Sequence, residues 1–134
     1  IGDELSDRLL VFAVRCMKVA GSLPTTFAGK HIAGQLIRSS TSAGANYEEC
    51  RGAESDADFS HKLRLVLKEL RETGYWLKLI CQAELLGMEK MCEIVTEAEQ
   101  LARIMAKSLL TYKKEGPEDL QRIKILDSKF KMEN

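Results

Sequence analysis

The sequence predicts an all-α fold, an antiparallel up-down-up-down four-helix bundle, and three observations carry that expectation. Apolar residues recur at spacings of three and four through most of the 134-residue chain, the period of helices that bury one face. Only two prolines interrupt it, and the good helix formers Leu, Ala, Glu, Lys and Arg are abundant. Turn signals near Gly21-to-Thr26, Gly52 and Gly87 divide the pattern into four segments. Four amphipathic helices on short connections pack most economically as antiparallel neighbours.

The first helix is expected from about Asp3 to Gly21, with Leu5, Leu9, Phe12, Cys16 and Val19 on its inward face. Pro24 and its neighbours end it. The second should start between Ala28 and His31 and run to about Gly52. Its seam is Ile32, Leu36, Ser39 or Ser40, Ala43, Tyr47 and Cys50, with small residues in the middle that let another helix approach closely. Ser55 reads as the N-cap of the third helix, with Asp58 three residues on. That helix should continue to Leu86, where Gly87 stops it. It is apolar on two sides: Leu63, Val66, Leu67, Leu70, Leu77 and Cys81 on one, Leu65, Trp76 and Leu79 on the other. A helix apolar on two sides must bury both, which points to a partner chain. The fourth helix, about Met88 to Lys114, carries Met91, Ile94 or Val95, Ala98, Leu101 or Ala102, Met105 and Leu109, and Gly116-Pro117 ends it. Residues 1–116 are thus read as one bundle domain, and 117–134 as a tail, partly helical or disordered.

Composition narrows function mostly by exclusion. An apolar fraction of 45% with 30% charged residues is that of a globular chain and argues against wholesale disorder. The 20 basic and 20 acidic residues balance and are evenly spread, so no basic arm announces a phosphate backbone. Cys16, Cys50, Cys81 and Cys92 fall singly and away from His31 and His61, so zinc spacing is absent. They read as reduced core-filling residues of a cytoplasmic protein. "LLVFAV" at 9–14 is too short to span a membrane and follows acidic residues, so no membrane association is expected.

Catalytic and cofactor motifs are also missing. "AGSLPTTFAGKH" at 20–31 has the wrong glycine spacing for a phosphate loop and His31 where Ser or Thr should follow the lysine. A di-metal bundle site needs two Glu-x-x-His motifs, and Asp58 with His61 is the nearest approach to one. No serine or cysteine has a histidine and an acid at triad-like spacing. The reading is no enzyme, no cofactor, no metal and no small-molecule substrate.

What stands out is polar. Arg38, Ser39, Ser42, Asn46 and Glu49 line the second helix, and Lys62, Glu69, Glu72, Thr73 and Trp76 the third. Spacings of three, four and seven put each set on one stripe, so the two stripes can face one another. Three readings stand: a network fixing register between helices or subunits, a ligand or nucleic-acid surface, and ordinary solvated faces. Buried polar groups must find partners, which favours the first.

"ELSDRLLVFAVR" at 4–15, "LP" at 23–24, "LIRSSTSAGANYEE" at 36–49 and "DFSHKLRLVLKELRETGYWLKLI" at 58–80 together resemble the bacterial 23S ribosomal RNA intervening-sequence proteins. The resemblance spans residues 3–112 and is most specific in R-S-x-x-S-x-x-x-N-x-x-E, from Arg38 to Glu49, and K-E-x-x-E-T-x-x-W-L, from Lys68 to Leu77. It implies an antiparallel four-helix bundle of unknown function, with no catalytic residues. Related accessory proteins of diversity-generating retroelements form five-membered rings and engage a reverse transcriptase and RNA. The resemblance therefore implies a homo-oligomer, a pentameric ring, with an RNA-binding accessory role as the alternative. Those relatives are strongly basic where this chain is neutral, which weighs against direct RNA binding while leaving ring formation untouched.

Overall fold

A computed structural model describes residues 4–115. The reading of 117–134 as a tail lies outside them. Four helices, α1 (Glu4–Gly21), α2 (Phe27–Arg51), α3 (Asp56–Gln82) and α4 (Met88–Glu115), follow one another with short connections. Each packs on the next, and α4 also touches α1, so the described residues form the expected all-α up-down bundle.

One core runs the length of the bundle. Leu5, Leu9, Phe12 and Cys16 of α1 meet Leu36, Ala43 and Tyr47 of α2, Leu63, Val66 and Leu77 of α3, and Met91, Leu101 and Met105 of α4. At one end the Phe59 and Tyr112 rings lie 4.7 Å apart between centroids. The Tyr112 hydroxyl donates to the Asp56 carbonyl at 3.2 Å, satisfying its one polar atom while the ring packs in the core.

Local chemistry sets the helix ends. Thr26 caps α2, its hydroxyl accepting from the Gly29 N–H at 3.1 Å, so the helix starts at Phe27, slightly before the expected Ala28. Gly29 is required there, because a Cβ would stand 2.0 Å from the Pro24 carbonyl oxygen. Ser55 caps α3 through the Asp58 N–H as expected. The far end of α3 is corrected: it stops at Gln82, not Leu86. Glu84 takes φ 55°, the Glu84 N–H bonds the Cys81 carbonyl, and the Leu85 N–H reaches back to Ile80. That is a Schellman turn with a glutamate where glycine is usual.

The second apolar side of α3 is partly covered by the chain itself. Leu65, Trp76 and Leu79 are half-buried, and Trp76 and Leu79 pack against the core within the single chain. A group of more exposed apolar side chains lies on α1, where Leu10 is 66% exposed, Val11 57%, Val14 43% and Met17 49%. The run of adjacent apolar residues at 9–14 is wider than one inward stripe, so half of it faces out. Among the cysteines, Cys16 and Cys50 are buried and Cys81 is half-buried, but Cys92 is exposed and fills no core space.

Candidate functional site

The two polar stripes do meet, along the α2–α3 seam. The Arg38 guanidinium donates to Glu69 Oε1 at 3.3 Å, to Glu72 Oε2, and to Gln35 Oε1 on its own helix at 3.2 Å. Trp76 Nε1–H donates to the same Glu72 oxygen at 3.0 Å. Arg38 and Trp76 together hold the Glu72 carboxyl below its ordinary range, the Arg38 bond being the larger cause. The Arg38 guanidinium is raised in turn by Glu72. Trp76 stands in an aromatic group, with His31 edge-on at 6.0 Å and Tyr75 at 5.1 Å between centroids.

Deeper in the same seam, Ser39 and Thr73 are fully buried with their hydroxyl oxygens 2.8 Å apart. The Thr73 oxygen also lies 2.8 Å from the Glu69 carbonyl, and Ser39 lies 3.4 Å from that of Leu36. One hydroxyl donates to the other, and the remaining proton goes to a backbone carbonyl. Further along, Lys62 donates to Glu49 at the exposed edge. Ser42 and Asn46 do not join: the Asn46 amide donates to the Ser42 carbonyl at 2.9 Å, within α2. Eight of the ten stripe residues are therefore in cross-helix bonds, or share a carboxylate with one, and two are not.

A second polar link was missed by sequence reasoning. On the opposite side, Arg8 of α1 grips both carboxylate oxygens of Glu97 at 2.7 and 2.8 Å and reaches Gln100 at 2.8 Å, all on α4. The Glu97/Gln100 spacing of three was a signal, but nothing local tied it to Arg8.

These contacts tie neighbouring helices to one another. The Cys16 thiol is pushed up to about 12 by burial, so it stays protonated and unreactive. Among the described residues no group of three or more His, Cys, Asp or Glu could hold a metal ion. No described helix is long and apolar enough to cross a membrane.

Beside the seam, α1 and α2 enclose an open apolar groove of about 460 Å³, walled by Leu10, Val14 and Met17 and floored by Ala13, Gly44 and Ala45. Ser6 and Glu48, bonded to each other, close one end.

A helical bundle tied by polar side-chain pairs between neighbours, with an apolar groove on its outer face, defines a class of small all-α four-helix domain. Residues 5–107 match the family described as 23S rRNA-intervening sequence protein, and the chain belongs to that family. It is similar to a solved structure from Bacteroides thetaiotaomicron, described as a protein with unknown function from the S23 ribosomal protein family. The two are 33% identical with a TM-score of 0.73, over 78% of this chain and 97% of that one. No curated protein matches the chain.

Proposed function

We propose that the protein is a non-enzymatic interaction module that works as a homo-oligomer, its copies meeting through the outer face of α1 and the α1/α2 groove. The observation that carries this reading is the exposure of Leu10, Val11, Val14 and Met17 on one helix. Contiguous apolar patches of more than roughly a few hundred Å² mark interaction surfaces on soluble proteins. Burying such a patch returns roughly 25 cal/mol per Å², which offsets part of the entropy lost on association. The groove beside it, floored by Gly44 and Ala45, lets a neighbouring helix come close.

On this reading the α2–α3 polar pairs hold the register of each copy, and α1 is left for assembly. A surface that meets a different surface of the next copy generates a ring when the rotation closes. The pentameric ring that the family resemblance implies is the form we assign.

Light scattering on the purified protein tests this. The wild type should have a mass several times that of one chain, and Val14→Glu or Leu10→Lys should lower it while circular dichroism stays helical. A wild type that runs as a monomer at micromolar concentration would sink the proposal.

A further inference from the structure

We propose that the groove between α1 and α2 is filled by residues 117–134 of a second copy of this chain, laid antiparallel to α1 as a helix. This rests on the reading that copies meet at the groove, and it names what enters. Residues 117–134 lie beyond the described residues and after the 5–107 stretch that matches the family. Their sequence has the pattern of a helix with one face to bury. Leu120, Ile123, Leu126 and Phe130 recur at spacings of three, three and four, which makes a single apolar stripe. Pro117 followed by Glu118 and Asp119 is a helix-start signal. Helices with anchors at such spacings seat in apolar grooves.

The groove matches that stripe in length, order and charge. Laid antiparallel, Leu126 falls opposite Leu10, Ile123 opposite Val14 and Leu120 opposite Met17, three apolar residues of the groove wall. Both runs span roughly 10 Å at ~1.5 Å per residue. On α1, Asp7, Val14 and Lys18 share the outward stripe at spacings of seven and four, and Glu4 precedes them by three; Glu4, Asp7 and Lys18 are exposed. The same register sets Lys129 beside Asp7 and Glu118 beside Lys18. A parallel helix would instead bring Glu118 and Asp119 against Glu4 and Asp7.

Charge and reach both favour a second copy over the chain's own segment. The Tyr112 hydroxyl bonded to the Asp56 carbonyl places the end of α4 beside the start of α3, at the end of the bundle where α1 begins. A helix starting at Pro117 leaves only Gly116 as connection, about 7 Å of chain. The chain's own segment would have to pass around α1, in a bundle whose axes lie roughly 8–10 Å apart. It would then enter from the Glu4/Asp7 end, parallel to α1 and acid against acid. A segment from another copy meets neither obstacle. It also joins two different surfaces, as a ring requires.

The test combines disulfide crosslinking with light scattering on the full chain, in a Cys92→Ser background because Cys92 is exposed. Leu10→Cys copies mixed with Leu126→Cys copies should crosslink to each other, and with Leu120→Cys copies should not. I123D/L126D should weaken assembly about a hundredfold or more, so that the mass at micromolar concentration falls to that of one chain while circular dichroism stays helical. An oligomer whose mass ignores I123D/L126D, or no crosslink between Leu10→Cys and Leu126→Cys copies, overturns this inference. So does a chain carrying both cysteines that closes only on itself. In each of those cases a mass lowered by Val14→Glu would still uphold assembly through α1, whereas a monomeric wild type overturns both.

Discussion

Ser39 of α2 and Thr73 of α3 bury their hydroxyls against each other, 2.8 Å apart at a point where both residues are wholly inaccessible to water. An apolar pair would fill the same space. The hydroxyls add direction, because each must find a partner and only one register supplies it.

That pairing predicts a non-additive mutant cycle. Thr73→Val strips Ser39 of its cross-helix partner and should cost about 1–3 kcal/mol in urea unfolding. Combining it with Ser39→Ala removes both polar groups, so the double variant should be less destabilised than the sum of the two single ones. Simple additivity would show that the two hydroxyls act independently.

The Arg38–Glu72–Trp76 group predicts an acid limb. Glu72 titrates below its ordinary range when folded, so its contribution is fully present above the unfolded carboxyl value. It is lost as pH falls through the lower folded value. Glu72→Gln should therefore flatten the loss of stability on acidification while leaving the neutral-to-basic range parallel to wild type. Glu72 is partly exposed and solvent screens the pair, so the effect is modest. Trp76 is the single tryptophan, so its emission reports this site directly.

Two glycines of α2 should respond oppositely to alanine. At Gly29 a Cβ would lie 2.0 Å from backbone oxygen, so Gly29→Ala must displace the α1–α2 connection and should cost about 1–3 kcal/mol. At Gly34 nothing lies within 4 Å, so Gly34→Ala should stabilise the helix by about 0.5–1 kcal/mol. Thermal unfolding of the two variants beside wild type separates the effects.

Glu84→Gly should raise stability. The residue holds φ 55°, a left-handed conformation that costs an L side chain about 1 kcal/mol and a glycine almost nothing. A midpoint shifted upward in denaturant at unchanged slope is the expected result, and a downward shift would mean that the Glu84 side chain contributes more than its backbone strain costs.

Four helices, their order and most of their core positions were legible because periodicity and capping are local. Leu5, Leu9, Leu63 and Met91 sit where spacing put them, and Ser55 caps where its hydroxyl suggested. The end of α3 was not legible, since it depends on Glu84 accepting a conformation that its type disfavours. Of the polar stripes, Arg38 with Glu69 and Glu72, Ser39 with Thr73, and Glu49 with Lys62 pair across α2 and α3, and Trp76 shares the Glu72 carboxylate. Ser42 and Asn46 have the same spacing, yet their bond stays within α2.

By itself, then, the sequence determined the helical class, the number of helices and the polar character of α2 and α3, because each follows from contacts within a few residues. Only the tertiary structure decided which surfaces are left over. Arg8 met Glu97 from eighty-nine residues away, Leu65 and Leu79 were half-covered, and Leu10, Val11, Val14 and Met17 were left facing out. Which side of a helix meets a neighbour depends on the rotation of every helix about its axis, and packing of the whole core sets that rotation.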